Sequence, residues 1–111
     1  MTIDSYFEKQ IKSAHTYLSR WVGTNAELWE LTSSHKSLRI LIRRDSTPGN
    51  LLLSCLDPVA IHAPINWTNC HLSIRSGTLM GRDELGFFIT DEEAKVEICC
   101  GGLEVKENVK L

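Results

Sequence analysis

The stretch Lys36-Ser37-Leu38-Arg39-Ile40-Leu41-Ile42-Arg43-Arg44 decides the architecture. Its alternation sets Leu38, Ile40 and Ile42 on one face of an extended strand and Arg39, Leu41 and Arg43 on the other. One side is wholly apolar and the other basic with a single leucine, which is the pattern of an antiparallel strand with one face on a core.

Segments on either side read as its neighbours. Ala26 to Thr32 forms a strand, and Ser33-Ser34-His35 turns it into the organising strand, giving a hairpin. Downstream, Asp45-Ser46-Thr47-Pro48-Gly49-Asn50 has turn composition, and the apolar run Leu51 to Leu56 belongs at the sheet centre. Two prolines between Asp57 and Asn66 disfavour a strand, so an ordered connection is expected there. Alternation resumes from Trp67, with Thr68, Cys70, Leu72 and Ile74 on one face and Trp67, Asn69, His71, Ser73 and Arg75 on the other. Ser76 to Glu84 reads as a loop. Leu85 to Ile89 and Ala94 to Cys100 form a hairpin closed by Thr90 to Glu93, with Gly101-Gly102 breaking the strand before Leu103 to Lys106.

Upstream, Ile3, Phe7, Ile11, Ala14, Leu18 and Trp21 recur at helical spacing, predicting an amphipathic helix over 3–22 with Thr2 or the Ser5-x-x-Glu8 box at its start and Gly23 at its end. No spacer between strands is long and helical enough for a parallel crossover, so the sheet is expected to be antiparallel, with its strands inside 26–106. The implied class is α+β, one N-terminal helix on about five or six antiparallel strands; the alternative is a small barrel with the helix as plug.

The 111 residues, 42% hydrophobic and 23% charged, fit a single domain over 1–111. The net charge of −2 hides an asymmetry: the chain carries +3 up to Arg82 and −5 from Asp83 onward. A near-neutral chain lacks the electrostatic footprint of a dedicated polyanion binder. The N-terminus has no charged region followed by an apolar run, so the expectation is a cytoplasmic protein with no membrane span. In that compartment Cys55, Cys70, Cys99 and Cys100 are expected to be reduced thiols, and the Asn66-Trp67-Thr68 sequon carries no meaning.

No stretch carries a spacing that a particular chemistry requires. Neither Cys-x-x-Cys nor His-x-x-x-His occurs, so neither a metal nor any other cofactor is expected. A thiol enzyme would need Cys99, on the outer face, to meet His71 or His62; Cys55 and Cys70 are expected to react slowly, and fast reaction is expected at Cys99 at most. The acidic pairs Asp83-Glu84 and Asp91-Glu92-Glu93 fall in turns and read as soluble punctuation. Trp29, Lys36, Arg39, Arg43 and Arg44 together have the ingredients of a single-stranded nucleic-acid surface, namely cations and a stacking ring. The face Trp67, Asn69, His71, Ser73, Arg75 combines the aromatic and arginine types enriched at contact hot spots. The reading is therefore a binding or interaction module, not an enzyme, acting through its sheet surface on another protein or on itself. A nucleic-acid binder and a thiol or metal enzyme are the alternatives.

Overall fold

The computed structural model describes residues 3–32, 36–43, 49–79 and 84–109. Its elements are α1 (Ile3–Leu18), β1 (Asn25–Leu31), β2 (Ser37–Arg43), β3 (Asn50–His62), β4 (Asn66–Trp67), β5 (Ser73–Thr78), β6 (Leu85–Asp91) and β7 (Val96–Val109). The fold is α+β: one N-terminal helix packs on a seven-stranded antiparallel sheet, order β4-β1-β2-β3-β7-β6-β5, curled into a half-barrel. Seven strands stand where about five or six were expected, and they reach from residue 25 to residue 109.

The organising strand behaves as its alternation requires. Leu38, Ile40 and Ile42 are buried on the concave side, while Arg39 and Arg43 are exposed on the outer one. Leu41, between the two arginines, is also fully buried. Leu51, Leu53 and Cys55 continue the inner face on β3, the middle strand of the seven. Phe7 of α1 meets Phe87 of β6 at 4.8 Å between ring centroids, and the helix lies against β5 and β7.

Several expectations are corrected. The helix stops at Leu18, not Val22. Its last turn tightens through bonds from Arg20 N–H to Tyr17 O and from Trp21 N–H to Leu18 O. That turn swings Trp21 into the core and leaves Val22 exposed. Because the helix already runs from Ile3, Ser5 lies inside it and not at a cap, while Thr2 lies outside the described residues.

Second, β3 does not end before the prolines but runs to His62. Pro58 lies beyond the last residue that β2 pairs, where β3 has only β7 beside it, next to a register shift at Val59; a missing N–H is tolerated in such a place. Third, Gly101-Gly102 does not break β7. It turns the strand over: Val96, Ile98 and Cys100 face the core, and then Leu103 does. The flip sits beside Asp57, whose φ of 52° is left-handed and whose Oδ2 would lie 3.4 Å from any Cβ at Gly101.

Fourth, Trp67 to Arg75 is not one strand. Asn69 takes φ 52°, and the backbone around it bonds sideways: Gly23 N–H to Cys70 O, Cys70 N–H to Thr24 O, and His71 N–H to Asp91 Oδ2. Residues 68–72 thus bridge the two edges of the curl, β4 and β5. The predicted loop from Ser76 begins later, since β5 extends to Thr78.

Asp91 fastens this bridge. It is 1% exposed, and its carboxylate accepts from Trp67 Nε1 at 3.0 Å, His71 N at 2.8 Å and Ala94 N at 3.3 Å. It is not the soluble punctuation its neighbours suggest. Asp91→Ala leaves three donors without a partner and is expected to lower stability by about 2–4 kcal/mol, and Trp67→Phe by about 1–2 kcal/mol, in urea unfolding. An Asp91→Ala chain within about 0.5 kcal/mol of the parent would show that the bridge is held by something else.

Candidate functional site

β5, β6, β7 and the far half of β3 lie side by side with matched registers. Ser73, Thr90, Glu97 and His62 form one row across them, and Arg75, Phe88, Cys99 and Ala60 form the next. Both rows face outward, because the row between them, Ile74, Ile89 and Ile98, is buried in the core. The first row and Arg75 of the second, together with Glu92 and Lys95 of the β6–β7 turn, line an open groove of about 610 Å³. Lys95 is carried at φ 58°, and Glu92 accepts its N–H, so the turn itself sets where both side chains leave the backbone.

The electrostatic arrangement distinguishes this face from the β1–β2 hairpin. On the hairpin, Arg43 pairs with Glu27 at 2.7 Å and Arg39 with Glu30 at 3.6 Å, and Arg43 also lies 5.4 Å over the Trp29 ring. In the groove, among the described residues, no ion pair engages Arg75, Lys95, Glu92, Glu97 or His62. Arg75 rests instead on the Phe88 ring, its guanidinium carbon 4.5 Å from the centroid. This is a planar cation held in place with its hydrogen-bond donors uncommitted.

The face expected from sequence is divided by the structure. Ser73 and Arg75 line the groove. Trp67 is 8% exposed and belongs to the core, so it is no part of a surface patch. Asn69 and His71 are exposed on the bridging segment, where the His71 ring nitrogen Nδ1 is bonded to Asn69 O. Of the basic strip, Trp29, Lys36, Arg39 and Arg43 are at the surface, with both described arginines matched to glutamates; Arg44 lies outside the described residues. Sequence reading missed Thr90, Lys95 and Glu97 and dismissed Glu92. The signal was present, because once the turn is centred on residues 92–95, Thr90 must oppose Glu97 and Phe88 must oppose Cys99.

All four cysteines are free and buried. Cys99 does face outward but is only 5% exposed, so it is not the ready thiol that was expected. Burial first, then Glu97 and Cys100, push its pKa up, and Arg75 only partly offsets them. Cys55 is held well above the ordinary thiol range by its hydrogen bond with Cys100 and by burial, and Cys70 is raised mainly by burial. Among the described residues no three His, Cys, Asp or Glu side chains gather as metal ligands. No described helix is long and apolar enough to cross a membrane. Family models, curated proteins and solved structures were searched, and none matches the chain.

Because these thiols stay protonated in the native state at pH values where an unfolded chain ionises them, the native state binds more protons there. Their contribution to stability is full below about pH 8 and is lost as pH rises past it. The urea midpoint is expected to fall between pH 7.5 and 9.5, roughly the span in which free thiols titrate, and thiol reagents to label all four cysteines slowly until the chain unfolds. A midpoint that rises over that span, or rapid labelling of native Cys99, would contradict this.

Proposed function

We propose that this protein is a cytoplasmic binding module that recognises a polypeptide through the outer face of β5, β6, β7 and the end of β3, and that it is not an enzyme. The observation that carries the reading is the contrast in charge commitment. Arg39 and Arg43 have their carboxylates beside them, whereas Arg75, Lys95, Glu92 and Glu97 share one groove without pairing. Uncommitted side chains on a rigid sheet lose little freedom on binding, and a guanidinium stacked on a ring is a group enriched at contact hot spots.

The alternatives have less support. A polyanion approaching the hairpin meets Glu27 and Glu30 alongside each described arginine, which cancels the attraction phosphate binding depends on. A thiol enzyme would need an ionised cysteine at this face, and a buried carboxylate could act only if it were free of its donors. The Asp91 carboxylate is occupied by three N–H donors, and burial keeps Cys99 protonated. The four free thiols accord with a reducing compartment.

The test uses the exposed Ser73. With the native thiols buried, Ser73→Cys can be labelled selectively with a photoreactive benzophenone, and Lys9→Cys on the helix serves as control. Irradiation in extract is expected to give a discrete polypeptide adduct from position 73 and none from position 9. Arg75→Ala with Glu97→Ala should reduce that adduct about tenfold, the loss expected of a hot-spot residue. Adducts only with nucleic acid, or a polypeptide adduct indifferent to both substitutions, would refute the reading.

A further inference from the structure

We infer that the occupant of this groove is a second copy of the chain, in a two-fold dimer that joins the outer faces of β5, β6 and β7. The inference rests on the binding reading of the same groove and names its partner. A polyanion would be repelled by Glu92 and Glu97, and a polycation by Arg75 and Lys95. This surface itself carries both signs, and, unlike the hairpin, carries them unpaired.

The registers make the patch self-complementary. Arg75 stands on β5 and Glu97 on β7, at opposite corners of a patch whose middle strand, β6, presents Phe88 and Thr90. A two-fold axis parallel to the sheet, just above its outer face and running obliquely over β6 between those two residues, places Arg75 over Glu97 of the partner subunit. The same rotation places Glu97 over Arg75 of the partner subunit. Such reciprocity is what an isologous contact requires. Lys95 and Glu92, on the turn, add one charge of each sign beside these corners. The row Phe88, Cys99 and Ala60 is apolar, with the half-buried Phe88 ring beneath Arg75, and the charges lie at its β5 end and on the side toward the turn. An apolar centre with a polar rim is the usual anatomy of a protein contact.

Charge reversal tests this directly in the full chain. Sedimentation velocity is run on the parent, on Arg75→Glu/Lys95→Glu, on Glu92→Lys/Glu97→Lys, and on an equimolar mixture of the two variants. The parent is expected to dimerise, with a dissociation constant that rises severalfold as salt is added. Each variant alone meets like charge across the axis and should be weakened on the order of 100-fold. The mixture meets opposite charge at every contact and should associate again. Far-UV circular dichroism establishes that both variants are folded. A parent that stays monomeric, a dimer indifferent to reversal, or folded variants that fail to associate when mixed would each overturn the inference. The photoreactive label at position 73 separates the two readings. A monomeric parent that still captures a different polypeptide there loses the dimer and keeps the binding module, whereas no polypeptide capture at 73 removes both.

Discussion

The Asp91 carboxylate is the constraint on which the curl of the sheet depends. A seven-stranded antiparallel sheet has two free edges, and here residues 68–72 join them with no strand pairing of their own. Their polar backbone groups need partners elsewhere. Asp91 supplies one for His71 N–H and another for the Trp67 indole, and through Ala94 N–H it also sets the β6–β7 turn. A second tie runs from the helix end, where Trp21 Nε1 donates to Glu107 at 3.1 Å and Arg20 pairs with the same carboxylate at 3.2 Å. Helix, bridge and sheet are therefore fastened by two carboxylates, each accepting more than one donor.

The same fastening positions the groove. The turn that carries Glu92 and Lys95 is anchored at one end by Asp91, and β5 begins two residues after the His71 amide that Asp91 holds. Charged side chains fixed by a buried network keep their spacing, and spacing is what a surface of mixed sign needs for selectivity. On the hairpin side the arginines are already answered by glutamates across the strand pair, so that half of the sheet carries its charge as internal pairs.

The helix, the central strands and their inward faces were legible because period alone sets them. Leu38, Ile40, Ile42, Leu51, Leu53 and Cys55 are buried as their alternation requires. What escaped was wherever the backbone departs from its period. The left-handed residues Asp57 and Asn69 and the extra residues at Trp29 and Val59 leave no mark in a hydrophobic pattern, yet each redirects a strand. Trp67 is the clearest case. Its place in an alternating run put it on the surface, and its indole N–H, finding Asp91, put it in the core. For the site, Ser73 and Arg75 were legible, but the residues opposite them depended on a turn placed two residues too early. That error kept every side chain on its correct face and changed only who stood across from whom.

The sheet edges offer little to an added strand. Exposed strand edges are where chains add to one another, and proteins suppress them. β4 is only two residues long, and Leu28 N–H beyond it is taken by Ile65 O at 2.7 Å. At the other edge α1 lies along β5, and His15 Nε2 accepts the Ile74 N–H at 3.1 Å. Where β3 outruns β2, Pro58 has no N–H to offer. With the edges shortened, covered or chemically blunted, a partner gains little by extending the sheet. On the proposed reading, a partner would gain more from the unpaired side chains on the outer face of β5, β6 and β7.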